Sequence, residues 1–191
     1  MAFVDLETTG TRPGGDAITE IAILRVENGR ETGRWQSLVN PERAIPPLLV
    51  RLIGISDAMV ASAPPFAAVA DTVAEQLADH VFVAHNAHFD HAFLRHAFRA
   101  LGRPFDPPML CTLKLARRLY PSHHRHGLDA LIARHGLVCS TRHRAMGDVD
   151  ALWQFMRLVT RDFSAEAIAA ALGKTMKRKA ERILAARPGL S

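Results

Sequence analysis

The order of the apolar runs constrains this chain most. Ala17 to Val26 is an apolar, β-branched run, Glu27-Asn28-Gly29-Arg30 carries the Asn-Gly hairpin signal, and Trp35 to Val39 continues as another strand. With a strand starting at Phe3, three consecutive antiparallel strands are expected at the front. The rhythm then changes. Pro46 to Ile53 reads as a short helix, and Phe66 to Leu77, preceded by Pro64-Pro65, reads as a longer one. Val81 to Ala84 and Met109 to Cys111 alternate with helical segments, the pattern of parallel crossover units. Gly102 and Gly136 stand where helix C-caps are expected. The expectation is an α/β fold with five strands in one mixed sheet.

The first strand carries acids. In Phe3-Val4-Asp5-Leu6-Glu7-Thr8-Thr9-Gly10, alternation sends Val4 and Leu6 to one face and Asp5 and Glu7 to the other. Like charges a strand-step apart at the edge of an apolar sheet cost free energy through desolvation and repulsion unless a cation lies between them. A hard divalent metal suits such a pair. A lone Asp-x-Glu is also common as solvated edge acids, so the weight falls on two later segments.

His85-Asn86-Ala87-His88-Phe89-Asp90 follows Val81-Phe82-Val83-Ala84 and leads into a segment with Phe89, Ala92, Phe93, Ala97, Ala100 and Leu101 at helical spacing. Asp90 is therefore expected in the first turn of a helix that follows a buried strand. His143-Arg144-Ala145-Met146-Gly147-Asp148 opens another amphipathic helix, with Val149, Leu152, Trp153, Met156 and Val159 as its apolar stripe. Residues five apart on a helix lie about 140° apart around the axis. If His143 and Asp148 serve one site, His143 must precede the helix.

These residues resemble the DEDDh 3'-5' exonucleases, a family that includes the epsilon proofreading subunit of the bacterial replicative polymerase. The resemblance rests on Asp5-x-Glu7-Thr8-Thr9-Gly10, His85-Asn86-x-x-Phe89-Asp90 and His143-x-Ala145-x-x-Asp148, in the family's order, and covers roughly residues 1 to 160. The histidine of the third motif resembles the DEDDh subtype, whereas the sister subtype carries tyrosine there. The resemblance implies a ribonuclease H-like mixed five-stranded sheet flanked by helices on both faces. It also implies two divalent metal ions, Mg2+ or Mn2+, held by Asp5, Glu7, Asp90 and Asp148, with His143 as general base. Substrate binding would fall to Thr8, Thr9, Ile53, His85, Asn86 and Phe89.

The same residues have plainer readings. Thr8 and Thr9 could form an ordinary strand-end turn, and Asn86 could fix its own loop by side-chain to backbone bonds. Leu52-Ile53-Gly54-Ile55 stands where many members carry Thr or His before Gly-Ile, and Cys111-Thr112-Leu113 where Asp-Thr-Leu is usual. His123, His124 and His126 lack paired cysteines or acids at ligand spacing and read as exposed or phosphate-contacting.

A chain of 191 residues with 48% hydrophobic content can bury one substantial core. No apolar run approaches membrane length, and the start lacks a basic-then-apolar signal, so a cytoplasmic protein without membrane association is expected. Cys111 and Cys139 suggest ordinary buried thiols. From Arg161 onward, seven Lys or Arg face three acids, so most of the net +5 lies in the tail. We read residues 1–160 as the exonuclease domain and 161–191 as a basic helical tail, whose Lys174-x-x-Lys177-Arg178-Lys179 is either a nucleic-acid contact or a solvated helix face. The tail also resembles the connector before a UvrC-like nuclease module. The expected partners are single-stranded or frayed 3' ends of DNA, with RNA as the alternative, and a polymerase or repair nuclease.

Overall fold

The computed structural model describes residues 1–173, so the Lys174 to Lys179 cluster lies outside the described residues. Five strands, β1 (Ala2–Thr8), β2 (Ile18–Glu27), β3 (Arg30–Leu38), β4 (Phe82–Ala84) and β5 (Met109–Cys111), form one sheet in the order β3-β2-β1-β4-β5. β1 pairs antiparallel with β2, and β2 with β3, while β4 is parallel to both β1 and β5. The front hairpin turns at Asn28 and Gly29, both with positive φ (50° and 72°), as an Asn-Gly turn requires.

β1 is the centre of the sheet, so its acids do not lie at a sheet edge as expected. Alternation along one strand reports which face a side chain takes, not which strands flank it, and the crossover to β4 covers the other side of β1. Asp5 and Glu7 therefore emerge from the middle of the molecule, where desolvation is strongest.

Helices cover both faces, giving the ribonuclease H-like arrangement. On one face, α3 (Phe66–Leu77) and α4 (His88–Ala100) pack against Val4, Leu6, Ile21 and Ile23, burying Val73, Leu94 and Phe98. On the other, α5 (Thr112–Leu119), α6 (Leu128–His135), α7 (Ala145–Asp162) and α8 (Ala165–Leu172) enclose Phe3, Ala22 and Leu24. A smaller apolar cluster of Ile45, Ile53, Ile55 and Val60 ties α1 (Pro47–Ile53) and α2 (Asp57–Val60) to the rest. α1 stops at Gly54, which takes the left-handed C-cap (φ 69°), and Gly136 ends α6 in the same way. Ser164 caps α8 by accepting the Ala167 N–H, and Ile168 and Ala171 join the main core.

Two apolar stripes are broader or rotated relative to their periodicity. α7 buries Ala151 and Phe155 completely, whereas Trp153 is half-buried under the Arg157 guanidinium, 5.6 Å from its ring centroid. This helix packs on the sheet along one side and on α6 and α8 along another, so one stripe cannot describe it. In α4 the inner side chains are Asp90, Phe93, Leu94 and Phe98, while Ala100 and Leu101 are exposed. Among the described residues, no helix is long and apolar enough to cross a membrane.

Candidate active site

β4 ends at Ala84, and its pairing with β1 runs only through Phe3 and Val83, so β1 from Val4 onward, with its acids, has no β4 partner. The Leu6 N–H lies beyond the last β4 pairing and instead donates to Asp90 Oδ1 at 3.2 Å. This bond holds the first turn of α4 against β1. Asn86 makes the sharp turn between β4 and α4 in the left-handed conformation (φ 62°), and its carbonyl accepts the Phe89 N–H at 2.8 Å. Among the described residues the Asn86 side chain makes no hydrogen bond, so its backbone conformation, not its amide, shapes the loop.

From the other face, α7 brings Asp148, which is 5% exposed, to the same end of β1. His143 lies in the loop before α7, with φ 57°, and thereby escapes the 140° separation that a continuous helix would impose. One ligand atom each from Glu7, His143 and Asp148 lie within 4.8 Å of one another. The irregularity in pairing between Glu7 and Thr8 re-aims the end of β1. Gly147 allows the approach of the preceding loop, because a Cβ there would overlap the Thr141 carbonyl.

Three of the four acids, Asp5, Glu7 and Asp90, are crowded against their own charge. Burial raises Asp5 well above the ordinary carboxylate range, with further increments from Asp90, Asp148 and Glu7 and partial relief from Arg142. Glu7 is pushed up to about 7, first by burial and then by Asp148 and Glu20. Burial lifts Asp90 to about 8 despite the hydrogen bonds from its own N–H and that of Leu6. Arg142 is the counter-charge the chain itself supplies: its Nη1 pairs with Asp148 Oδ2, and its Nε reaches Asp129 Oδ1 at 2.6 Å. One guanidinium cannot balance four carboxylates. The carboxylate oxygens are hard donors that fit divalent cations, and Glu7 and Asp148 have the spacing to share one with the His143 imidazole beside them.

The remaining motif residues divide by environment. The Thr8 hydroxyl donates to the Gly10 carbonyl at 2.6 Å, and the Thr9 Oγ1 accepts the Ala17 N–H at 3.0 Å, so both hydroxyls build the turn after β1. His85 shares a hydrogen bond with Thr112 Oγ1 (3.0 Å), and that hydroxyl donates to the Ala84 carbonyl at 3.2 Å. Burial, with Arg142 and Arg117 nearby, lowers the His85 imidazole to about 4, so it is neutral at physiological pH. Thr112 thus supplies a polar contact at the end of β5, next to Cys111. Phe89 is half-buried with its ring 4.9 Å from that of Phe93. Ile53 is 4% exposed inside its apolar cluster, and the open apolar side chains of α1 are Leu48 and Leu52. His123 and His124 are exposed, but His126 is buried and its Nε2 lies 2.8 Å from the His123 carbonyl. Cys111 and Cys139 are half-buried, and Cys139 Sγ lies 3.7 Å from Asp148 Oδ1.

Three contributors carry no signal in the motifs: Glu20, Arg142 and Arg144. Glu20 hides as the charged residue within the apolar run Ile18-Thr19-Glu20-Ile21-Ala22-Ile23-Leu24, and that interruption is the signal that could have found it. The two arginines flank His143 directly.

A family model described as Exonuclease matches residues 2–156. A putative bifunctional exonuclease/endonuclease protein of Mycobacterium tuberculosis is 42% identical over 160 residues, covering 79% of this chain and 25% of that protein. The 3'-5' exonuclease DinG of Staphylococcus haemolyticus is 38% identical over 148 residues, covering 77% of this chain and 16% of that protein. The chain thus spans a quarter or less of the length of these relatives. Exonuclease X in complex with 5' overhanging duplex DNA superposes with a TM-score of 0.68 at 30% identity, covering 90% of this chain and 99% of that one.

Proposed function

The chain belongs to the exonuclease family, and from that premise we propose that it hydrolyses phosphodiester bonds at the 3' end of DNA with the aid of two divalent metal ions, releasing nucleoside monophosphates. The convergence of Glu7, His143 and Asp148 within 4.8 Å, beside the half-buried Asp5 and the buried Asp90, carries this reading. The 3'-5' polarity is supported by the name of the DinG relative, and DNA as substrate by the complex in which exonuclease X was solved.

Asp5, Glu7 and Asp148 would hold the metal ions, with Asp90 bound to the Leu6 amide behind them. When bound, the ions would supply charge compensation for the scissile phosphate and lower the pKa of coordinated water. His143 accepts the proton of the attacking water: its loop position places a ring nitrogen beside Glu7 and Asp148, and a free imidazole nitrogen can take up that proton. The turn built by Thr8 and Thr9, together with the exposed Asn86 and the half-buried Phe89, forms the wall against which a terminal nucleotide lies. Bound metal would compete with the protons that burial favours on Glu7 and Asp90 and with the Arg142–Asp148 ion pair.

The test uses 5'-labelled single-stranded DNA and matching RNA with Mg2+, Mn2+ or EDTA. A ladder shortening from the 3' end, present with either metal and abolished by EDTA, is expected on DNA. A ladder on RNA alone would reassign the substrate, and no ladder on either polymer would leave a nucleic-acid-binding module.

A further inference from the structure

His143 occupies left-handed backbone space (φ 57°), which is uncommon for a residue bearing a β-carbon. Both neighbours of His143 are arginines, and each is tied to a carboxylate from a different element. Arg142 joins Asp148 and Asp129. Arg144 forks onto Glu20 of β2: its Nε lies 3.2 and 3.1 Å from the two carboxylate oxygens and its Nη2 lies 2.7 Å from Oε1. The Ala145 N–H, first in α7, donates to Glu20 Oε2 at 3.0 Å.

Glu20 is 3% exposed and stands directly opposite Glu7 in the β1–β2 register. Its two oxygens are taken up by the Arg144 fork and the Ala145 amide, and it lies outside the group formed by Glu7, His143 and Asp148. A carboxylate so engaged is a poor metal ligand. It is instead an anion at the start of a helix, held by an orphan amide and a bidentate cation, which fixes where that helix begins. The residue between the two tethers is His143.

We propose that Glu20 is a positioning residue: through Arg144 and the Ala145 amide it pins the first turn of α7 to β2, and so aims His143 at the end of β1. Its kinetic consequence rests on the hydrolytic reading above, but the clamp itself can be read without turnover. Arg144 and the Ala145 amide transmit the placement of β2, the strand that also pairs with the acid-bearing β1, to the candidate base. The strand that registers Glu7 thereby registers His143 as well.

Glu20→Gln keeps the shape of the side chain but replaces one acceptor with a donor facing Arg144. Two measurements decide the matter. In native-state amide exchange of the metal-free protein, the Ala145 N–H in Glu20→Gln should lose protection by about tenfold or more, while amides in the second half of α7 keep theirs. Unchanged Ala145 protection would overturn the clamp, whatever the enzyme does. In steady-state kinetics on a single-stranded oligonucleotide, kcat should fall about 30- to 100-fold with KM nearly constant, the cost of a base displaced by about 1 Å. In a His143→Ala background the same substitution should reduce the residual rate by less than about threefold, because the two residues act as one unit. An equal fold-loss with and without His143, or a loss confined to KM, would overturn the positioning role. A wild-type protein inactive on every polymer would defeat the hydrolytic reading and leave the exchange result standing. If Glu20→Gln fails to fold, Arg144→Lys retains the charge without the fork and should show the same non-additivity with His143→Ala.

Discussion

Glu7 offers a measurable consequence of the crowded acids. Its carboxyl rises from an ordinary 4.5 to about 7, mainly through burial and then through Asp148 and Glu20. A group whose folded pKa exceeds its unfolded value binds its proton more tightly in the folded state, so its contribution to stability is complete below pH 4.5 and is lost as pH rises through 7. At about 1.4 kcal/mol per pH unit, that rise corresponds to about 3 kcal/mol, and residual contact with water reduces it toward half. His85 works the other way: its imidazole falls to about 4, so its neutral folded form gains stability as pH rises from 4 toward 6.5. A raw pH profile of the wild-type protein therefore mixes opposite slopes. Comparing it with Glu7→Gln cancels His85. In EDTA, denaturant unfolding followed by circular dichroism from pH 4.5 to 8.5 should show Glu7→Gln gaining about 1.5 to 3 kcal/mol on the wild type across that range. Saturating Mg2+ should erase the gain at high pH by stabilising only the protein that keeps the carboxylate. Parallel profiles in EDTA, or a difference that runs in the opposite direction, would show that Glu7 is not held against its charge.

Three further outcomes follow from particular side chains. His143→Ala should lower the hydrolysis rate at neutral pH by about 10²- to 10⁴-fold while leaving Mn2+ affinity, read by titration calorimetry, nearly intact; equal loss of both would make His143 a ligand instead of a base. Gly147→Ala should press the new methyl against the Thr141 carbonyl, cost about 1–3 kcal/mol in denaturant unfolding and displace the His143 loop; a fully stable variant would show that the loop yields freely. Phe155→Ala empties a fully buried position between α7 and its neighbours and should cost about 3–5 kcal/mol, whereas Trp153→Ala, at the half-buried position, should cost less.

The contrast between those two aromatic positions shows where sequence reasoning stops. Periodicity locates a helix with one buried side, as it does for Phe66–Leu77, whose bounds match the reading from Pro64-Pro65 and its apolar spacing. It fails for α7, where two buried sides overlap and Trp153 and Phe155 exchange the expected places. Strand order is similarly hidden: β-branched runs and the Asn28-Gly29 turn identify the front hairpin, but only the folded chain puts β1 between β2 and β4. At the site, the five-residue gap between His143 and Asp148 requires His143 to precede the helix if the two serve one site, and the chain places it there. Glu20 was not legible at all: it lies inside a run read only as an apolar strand, and its partners Arg144 and Ala145 are more than 120 residues away in sequence. Ile53 illustrates the converse, a residue whose motif position implies a ligand wall and whose side chain is enclosed in the α1–α2 cluster.

A crystal grown with Mn2+ and a nucleoside monophosphate, examined by anomalous scattering, tests most directly whether the gathered acids exist to hold metal. Manganese peaks are expected at the end of β1, ligated by Asp5, Glu7 and Asp148, with Arg142 withdrawn from Asp148 and the phosphate beside His143. Saturating manganese with no peak among these carboxylates, and Arg142 still paired with Asp148, would contradict that expectation.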